Sequence, residues 1–411
     1  MAKVIVIGGG PAGMMAAITA SKHNSTILLE KNEKLGKKMY ISGKGRCNVT
    51  NAKDISEFFD YIPGNADFLY SSLYTFTNQD TIDFFNNLDV KLKVERGDRV
   101  FPVSDKSSDI IKAMEKSLHR NKVDIKLNSN VKEFLHKGNR IYAVKLSDGT
   151  IIKGDYFILA TGGKSYPQTG STGDGYRLAK SLGHSIEKLI PSLVPIEIYD
   201  SLVKKLQGLS LKNVELYIKN SHGKILYDEF GEMIFTHYGI SGPIVLSGSR
   251  VVGENLHKDK LSAIIDLKPA LSTEQLDKRI QKDFMEFSNK SFKNSLDKLL
   301  PKKMIPVIIE MSGIDPDKKV NSITKKERYN LVSNIKQFKL NIKGSRPIEE
   351  AIVTSGGVTT REINPSNMKS KLIDNLYFAG EVIDVDGYTG GFNIQIALST
   401  GFSAGSGVDS K

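Results

Sequence analysis

Cysteine is nearly absent from this sequence, which has a single one, Cys47, among 411 residues. One cysteine excludes an intramolecular disulfide and suits a reducing compartment. The sequence also lacks an apolar run of about 18 residues, a secretory signal at its start, and the Cys/His spacing of a zinc site. We therefore expect a cytoplasmic protein without a membrane span and without a metal site.

Acidic residues are in deficit, since 58 Lys and Arg stand against 46 Asp and Glu, a net charge of +12. The excess is concentrated in residues 318–346, where Glu327 is the sole acidic residue among nine basic ones. A second basic stretch covers residues 30–46. Such runs are either solvated helix faces or contacts to the phosphate backbone of a nucleic acid. The nine basic residues are Lys318, Lys319, Lys325, Lys326, Arg328, Lys336, Lys339, Lys343 and Arg346.

Glycine, in contrast, is clustered near the start of the chain, in the segment VIVIGGGPAGMMAA. Gly8, Gly10 and Gly13 form the pattern G-x-G-x-x-G between a β-branched strand and a helical pattern, as in dinucleotide-binding βαβ units. Gly8 allows a tight turn, Gly10 lets a pyrophosphate approach the backbone, and Gly13 allows close packing of the helix. Glu30, at the end of the next strand, is the expected acceptor for the ribose hydroxyls of adenosine.

FAD and NAD share this pattern, and two later segments favour FAD. The segment FILATGG ends a predicted strand at Thr161, Gly162 and Gly163, where the backbone can pass close to a bound dinucleotide. The segment YFAGEVIDVDGYTGGFNIQIALSTG ends another strand at Glu381 and then starts a helix. A carboxylate there suits a ribityl hydroxyl, and a helix N-terminus stabilises negative charge on a reduced flavin.

The order of these patterns predicts an α/β fold. A Rossmann-like FAD-binding domain in two segments, residues 1–190 and 346–411, is interrupted by a β-rich domain, 191–271, and by a helical subdomain, 272–345. Short strands separated by turn residues characterise the β-rich domain. The segment STEQLDKRI opens the helical subdomain with a predicted capping box.

Five segments carry a resemblance that extends along nearly the whole chain: VIGGGPAGMMAA, KKMYISGKGRCNVTN, ATGGKSYPQTGSTGDGY, FTHYGISGP and FAGEVIDVDGYTGGFNIQIA. With these segments the sequence resembles the FAD-dependent oxidoreductases of the aminoacetone-oxidase-like, or BaiN/YhiN-type, family. The resemblance implies an FAD domain with two dinucleotide-binding motifs, interrupted by a β-rich and a helical domain. The sequence departs from the family pattern at Lys44, where glycine is frequent, and we expect the backbone path to be retained.

The segment YISGKGRCNVTN is predicted to follow the cofactor. In disulfide reductases of the glutathione reductase type, the corresponding loop carries two cysteines against the flavin, whereas this loop has Cys47 alone and cannot form that redox pair. Ser42, Gly43, Arg46 and Asn48 are predicted to line the ribityl chain and the flavin beside it. Cys47 is either a proton donor or reactive thiol, or a small residue packed beside the flavin, and both alternatives stay open.

The remaining candidate residues also have structural alternatives. Asp174, in GSTGDGY, either binds on the flavin side or caps the following helix. His237, in FTHYGISGP, is a candidate general acid in a domain expected to face the flavin across a cleft, although a lone histidine is more often structural. The predicted cofactor-binding residues further include Pro11, Ala12, Lys31, Lys38, Val131, Gly380, Gly390, Gly391, Phe392 and Asn393.

A second G-x-G-x-x-G is missing, so NAD(P)H is expected as a transient electron donor without a domain of its own. The resemblance includes reductases of activated C=C bonds, among them enone reductases and enzymes that form dihydrouridine in large-subunit ribosomal RNA, and also an amine oxidase. The basic stretch 318–346 favours ribosomal RNA as the partner and uridine as the substrate. Small-molecule enone reduction, oxidation of a small amine, and a non-catalytic FAD-containing RNA-binding protein stay open as alternatives.

Overall fold

Two compact units make up residues 1–408, which are the residues that this computed structural model describes. The first unit comprises Met1–Ile190 together with the chain from Ile348 onward, and the second unit comprises Pro191–Pro347. Each unit has its own hydrophobic core. Among residues 1–408, none of the helices has the length and apolar character that crossing a membrane requires.

A parallel sheet forms the centre of the first unit, which confirms the predicted α/β architecture. Strand Lys3–Ile7 pairs with Ser25–Leu29 on one side, where Ile5 lies beside Ile27, and with Tyr156–Leu159 on the other. The continuous apolar runs KVIVI and YFIL suit strands that are covered on both faces. From edge to edge, the strands are Leu376–Phe378, Tyr156–Leu159, Lys3–Ile7, Ser25–Leu29 and Asp124–Lys126.

The helices Pro11–Ala20 and Phe392–Ser406 run parallel and pack closely through small residues. A Cβ atom at Gly401 would lie 2.4 Å from the carbonyl oxygen of Ala12, and the glycine one turn later makes an equally close approach. Because Gly401 lies beside Ala12, the longer helix begins about eight residues earlier along the shared direction than the shorter one, which corresponds to about 12 Å. The other helices of the first unit are Lys37–Ile41, Tyr70–Thr75, Asn78–Asn86, Ser107–Arg120 and Asp174–Ser181.

The first unit also contains antiparallel strands. Strands Arg140–Leu146 and Ile151–Lys153 form a hairpin with Asp148 and Gly149 in its turn, as the Asp-Gly pair predicts. Strand Val131–Lys137 pairs with the other edge of this hairpin. Further strands of the described chain are Thr50–Asn51, Leu92–Glu95, Arg99–Pro102, Ile190–Ser192 and Val353–Ser355.

The second unit is built on a closed antiparallel barrel. Its first strand, Ile196–Ile198, pairs with its last, Phe338–Ser345, and this pairing closes the barrel. Around the barrel, the strands follow the order Ile196–Ile198, Gly239–Ser241, Ile225–Phe235, Ser210–Asn220, Leu261–Asp266 and Phe338–Ser345. The helices of this unit are Leu202–Leu206, Pro243–Asn255, Thr273–Glu286, Ile305–Ser312 and Lys325–Lys336.

The structure differs from the predicted separation of a β-rich domain from a helical subdomain. Helix residues such as Leu276 and Ile335 share one hydrophobic core with the barrel strands. The strand Phe338–Ser345 lies inside the stretch predicted as helical, although its segment FKLNIKG alternates buried apolar with exposed polar residues, the period of a strand. The predicted capping box of Ser272 and Gln275 is confirmed at the start of the helix that follows it.

Candidate active site

The glycine-rich turn follows the central strand of the parallel sheet. Gly8 has a φ of +108°, in the left-handed region, and a Cβ atom there would lie 2.4 Å from the carbonyl oxygen of Ala160. A Cβ atom at Gly13 would lie 1.8 Å from the carbonyl oxygen of Gly8. At Gly10, a Cβ atom would meet no atom of the described residues within 4 Å. The turn is therefore packed against the protein at Gly8 and Gly13 and open at Gly10, where a phosphate can approach the backbone.

A long cleft lies at the carboxyl ends of the parallel strands. It encloses about 1350 Å³, counting the part that is open to solvent. Residues from several strand ends and from both helix starts line it, an extent that suits an elongated ligand such as a dinucleotide. The predicted site residues that line it are Gly8, Gly10, Pro11, Ala12, Glu30, Lys31, Lys38, Ser42, Val131, Thr161, Gly162, Asp174, Gly380, Glu381 and Asn393.

Other predicted residues do not line the cleft. A Cβ atom at Gly163 would lie 2.5 Å from Oγ1 of Thr354, so glycine lets that threonine pack there. Gly391 has a φ of +103° and precedes the helix that begins at Phe392, whose ring stacks on Tyr61 with centroids 4.6 Å apart. The predicted residues outside the cleft lining within the first unit are Gly13, Gly43, Arg46, Cys47, Asn48, Gly163, Gly390, Gly391 and Phe392.

Glu30 is buried at the end of strand Ser25–Leu29. Its carboxylate accepts hydrogen bonds from the backbone N–H of Gly9 at 2.7 Å, from the backbone N–H of Asn32 at 2.8 Å, and from the Asn32 side-chain amide at 2.6 Å. These donors fix the carboxylate at the cleft wall and leave lone pairs for further donors. The site therefore suits ribose hydroxyls and repels a 2′-phosphate.

Lys31 and Asp174 connect two segments across the cleft. The Lys31 Nζ donates hydrogen bonds to the Asp174 carboxylate at 2.7 Å and to Oγ1 of Thr172 at 2.6 Å. Burial works against ionisation of Asp174, but the hydrogen bonds from Lys31 and Thr172 outweigh it and lower the pKa of this carboxyl. Helix Asp174–Ser181 starts at this residue without a side-chain cap from the described residues, so the predicted capping role is wrong.

A second charged pair, Lys38 and Glu381, also lines the cleft. The Lys38 Nζ donates hydrogen bonds to the Glu381 carboxylate at 2.8 Å and to Oγ of Ser165 at 2.7 Å. Glu381 also accepts from the backbone N–H of Thr354 at 2.8 Å and from the Ser165 hydroxyl at 3.0 Å. Glu381, which was predicted to bind a ribityl hydroxyl, is therefore held in place by several donors of the protein.

Two helix N-termini meet the cleft. Helix Pro11–Ala20 begins after Gly10, and no side chain of residues 1–408 caps it. Helix Phe392–Ser406 likewise begins without a side-chain cap, and Asn393 in its first turn is held by hydrogen bonds to the backbone of Gly387. Uncapped N–H groups and the helix dipole give both positions partial positive charge. Phosphates and an anionic ring system are both stabilised at such positions.

Cys47 is fully buried in the loop after helix Lys37–Ile41. Burial raises the pKa of its thiol to about 12, against a weaker opposing effect of a hydrogen bond with Ser42. A thiol with this pKa stays neutral at physiological pH, which favours the packed residue over the reactive thiol. Lys44, in the same loop, has a φ of +58°, a left-handed conformation that suits glycine better than lysine.

Arg46 was predicted to line the flavin, but its side chain pairs with carboxylates of other segments. Its guanidinium lies 2.9 Å from Glu95 and 3.3 Å from Asp105, and it stacks on the Phe101 ring at 4.0 Å. The neighbouring Asn48 has a buried Oδ1 that finds no hydrogen-bond donor among residues 1–408. Arg46 therefore stabilises the loop through its ion pairs and does not line the cleft.

Several cleft residues were missed by sequence reasoning. Ser129 and Asn130 follow the edge strand Asp124–Lys126, so their place at a carboxyl end of the parallel sheet could have been inferred. Ile352 and Val353 line the cleft from a segment without any local signal. The missed residues include Gly9, Leu29, Asn32, Gly36, Lys37, Met39, Ser129, Asn130, Ile352, Val353 and Val385.

His237 belongs to the second unit. It is exposed in the turn between strands Ile225–Phe235 and Gly239–Ser241, and its ring lies edge-on to that of Tyr238 at 4.7 Å. These contacts are local to the turn. The catalytic role of His237 stays a prediction.

Five of the nine basic residues in the stretch 318–346 form ion pairs, and they share four carboxylates. The partners Asp277, Asp266 and Glu197 lie outside the stretch, so the local count of charges overstated the free positive charge. The second unit nevertheless carries 26 Lys and Arg against 18 Asp and Glu. The ion pairs are Lys318 with Glu327, Arg328 with Asp277, Lys336 with Asp266, and Lys343 and Arg346 with Glu197.

The residues of the cleft fit FAD. Thr161 lines the cleft, and its buried hydroxyl lies against Gly175, where a Cβ atom would come within 2.0 Å of it. Gly10 leaves open space beside an uncapped helix start, which suits a pyrophosphate, and Glu30 suits the adenosine ribose. Asn393, at the second helix start, lies where a flavin ring would gain electrostatic stabilisation.

Comparison with known proteins agrees with this geometry. A protein-family profile described as "HI0933-like protein Rossmann domain" matches residues 2–407. The chain belongs to this family. It is 32% identical to the 3-dehydro-bile acid delta(4,6)-reductase of Clostridium scindens, over 98% of this chain and 98% of that protein. It is 30% identical to the ribosomal RNA dihydrouridine synthase of Escherichia coli, over 97% of this chain and 96% of that protein.

A solved structure is similar in fold. It is the 3-ketosteroid delta1-dehydrogenase from Sterolibacterium denitrificans, and the alignment spans 98% of this chain and 99% of that protein, with 15% sequence identity and a TM-score of 0.51. The family resemblance read from the motifs is confirmed. This member of the HI0933-like family is an FAD-dependent oxidoreductase with a Rossmann-like FAD-binding domain.

Proposed function

We propose that this protein reduces a C=C bond conjugated with a carbonyl group, and that its substrate is uridine in large-subunit ribosomal RNA, which becomes dihydrouridine. The observation that carries the proposal is full-length similarity at 30–32% identity to a bile acid delta(4,6)-reductase and to a ribosomal RNA dihydrouridine synthase. Both names describe saturation of such a bond. Uridine is favoured because the second unit has a marked excess of positive charge.

The cleft residues have defined roles in this reaction. The open backbone at Gly10 and the start of its helix would hold the pyrophosphate, and Glu30 would hold the adenosine ribose. When bound, FAD supplies two-electron hydride chemistry. The Lys38–Glu381 pair fixes the cleft wall, and Asn393 presents a helix N-terminus that stabilises negative charge.

The electron donor and the proton donor belong to the proposal. NAD(P)H is the proposed transient reductant, since the sequence has no second dinucleotide fingerprint. His237 is the proposed proton donor, because imidazole is well suited to proton transfer near neutral pH. We expect His237→Gln to keep FAD and its reduction by NAD(P)H while slowing reduction of the substrate by about a hundredfold. Equal rates in the variant and the parent would remove His237 from the mechanism.

The uridine substrate is tested by nucleoside analysis of ribosomal RNA. Large-subunit RNA from cells that lack the gene should lose dihydrouridine, and a plasmid copy of the parent should restore it. The Gly10→Trp variant, designed to lose FAD, should not restore it. If the dihydrouridine content of the RNA is the same with and without the gene, uridine is not the substrate.

Four basic residues of the stretch form no ion pair with residues 1–408, and three of them mark the proposed RNA contact, since the fourth, Lys319, donates a hydrogen bond to the backbone of Asn289. Lys325, Lys326 and Lys339 are exposed and form no ion pair with residues 1–408. The Lys325 ammonium lies 5.5 Å from the ring of Tyr329, which is 47% exposed. An exposed aromatic ring beside cations is typical of surfaces that bind single-stranded nucleic acid.

This contact is tested with a triple variant, Lys325→Gln, Lys326→Gln and Lys339→Gln. We expect weaker binding of ribosomal RNA fragments and a salt dependence reduced by roughly 0.7 per lost contact. The control is a second triple variant, Lys224→Gln, Lys258→Gln and Lys260→Gln, which removes the same charge from three other exposed lysines of the unit. Equal loss of binding in both triple variants would indicate a general charge effect and not this surface.

A small-molecule enone is the second candidate substrate. It is favoured by the ion pairs of five of the nine basic residues in the stretch 318–346, which leave less positive charge free for RNA. Protein with chemically reduced FAD should be mixed without oxygen with a uridine oligonucleotide or with a simple cyclic enone. Reoxidation by the enone alone would identify a small-molecule reductase, and reoxidation by the oligonucleotide would support the RNA substrate.

A further inference from the structure

A cavity in the second unit contains a lysine whose charge has no carboxylate partner. The cavity has about 560 Å³, counting its open mouth. It lies between the bulged part of strand Ser210–Asn220, the adjacent Leu267 and Lys268, and residues 300–304. The bulge brings Lys212 to the same cavity. Two lysines, Lys212 and Lys268, thereby line one recess of the barrel surface.

The charge of Lys268 is poorly compensated. Lys268 is half-buried and forms no ion pair with any of residues 1–408. Burial lowers the pKa of its ammonium, and repulsion by Arg279 lowers it further. The nearby Asp266 is committed elsewhere, since its carboxylate lies 2.5 Å from the Lys336 Nζ. A half-buried cation without a counter-charge is unfavourable, and an anion in the cavity would relieve this.

This arrangement does not follow from a lysine-rich sequence alone. Other half-buried cations of the second unit have carboxylate partners, as Arg328 lies 2.6 Å from Asp277 and Lys336 pairs with Asp266. Lys219 is also half-buried without an ion pair to residues 1–408, but its ammonium lies 5.5 Å from the ring of Tyr217. Lys268 has neither kind of partner among the described residues.

The walls of the cavity are aliphatic. Leu211, Val214, Leu267, Leu300 and Met304 are buried side chains that line it. No Asp or Glu lines the cavity among the residues that the structure describes. Apolar walls with a few placed polar groups are the usual composition of a small-molecule site. The ligand should therefore combine an anionic group with an aliphatic body.

We propose that this cavity binds a small amphiphilic anion. Its carboxylate or phosphate group contacts Lys268 and Lys212, and its aliphatic part contacts the leucine and methionine side chains of the wall. The site is independent of the proposed RNA reaction and does not involve the FAD cleft. An occupied site would tie the bulged strand to residues 300–304 and stabilise the second unit.

The proposal is tested by calorimetric titration of the FAD-loaded full chain with octyl phosphate, octanoate, inorganic phosphate and octanol. We expect binding of octyl phosphate, octanoate or both, and the stronger of the two identifies the head group. Inorganic phosphate and octanol should bind at least about tenfold more weakly, because each lacks one half of the ligand. Equal binding of inorganic phosphate would refute the amphiphilic ligand, and absence of binding by both anions would refute the site.

Variants assign the binding to Lys268. Lys268→Gln should weaken binding at least about tenfold, whereas Lys258→Gln, an exposed lysine of the same unit outside the cavity, should bind like the parent. The anion should raise the melting temperature of the parent and leave that of Lys268→Gln unchanged. Without ligand, Lys268→Gln should be at least as stable as the parent, since an uncompensated charge is removed. Equal binding by both variants would overturn the assignment.

Discussion

The ion pair of Lys31 and Asp174 should control how fast FAD leaves the cleft. These side chains are 24% and 32% exposed, and the lysine also donates to Thr172, so the pair is better shielded than an ordinary surface pair. Exposed pairs contribute about 0.2–1 kcal/mol, and we assign about 1 kcal/mol here. Because 1.4 kcal/mol corresponds to a factor of ten, Lys31→Ala should release FAD about fivefold faster.

The rate is measured by the rise of flavin fluorescence after dilution of the holoprotein. High salt should reduce the difference between parent and Lys31→Ala, since the Debye length is only about 3 Å at 1 M. Asp174→Ala should match Lys31→Ala, and the double variant should be no faster than either. The exposed pair Lys116 and Asp89 provides the control, and its removal should not change the rate. Additive effects of the two alanine substitutions would refute a pairwise interaction.

Three further predictions concern the glycine-rich turn, Cys47 and His184. Gly10→Ala should fold like the parent but lose FAD affinity, whereas Gly13→Ala should fail to fold stably, because its Cβ would lie 1.8 Å from a carbonyl oxygen; both outcomes are read from circular dichroism and bound flavin. Cys47→Ser should lower the free energy of unfolding by about 1–3 kcal/mol yet keep FAD and turnover, and a hundredfold loss of substrate reduction with normal FAD binding would contradict this. Burial lowers the pKa of His184 although Glu362 opposes the shift. The unfolded state, with its ordinary pKa near 6.5, therefore takes up the proton first, and the unfolding free energy in urea should fall as the pH drops below about 6.5, less so in His184→Gln.

The features that depend on neighbouring residues could be predicted from the sequence. The turn at Gly8 and Gly10 is such a feature, because its conformation and its function both depend on a few adjacent glycines. The capping box at Ser272 is another, since it is closed by a residue three positions away. The parallel sheet followed from continuous apolar runs with helical patterns between them.

The features that depend on distant residues could not be predicted. Arg46 was assigned to the flavin because its loop was judged alone, but Glu95 and Asp105 approach it only in the folded chain. The charge left free in the basic stretch also depends on distant residues, as Arg328 pairs with Asp277 some fifty positions earlier in the sequence. Charge counted within a window therefore says little about charge left free in the fold.

The closed barrel of the second unit has a consequence for the ancestry and engineering of this protein. Its first and last strands are neighbours, with Ile196 opposite Ser345, so the polypeptide enters and leaves the barrel at adjacent points. A module with adjoining ends can be spliced into a loop of a host domain without stretching the host. All strands of the parallel sheet come from the host segments. Recombination could therefore exchange the barrel as a unit and leave every strand of the parallel sheet in place.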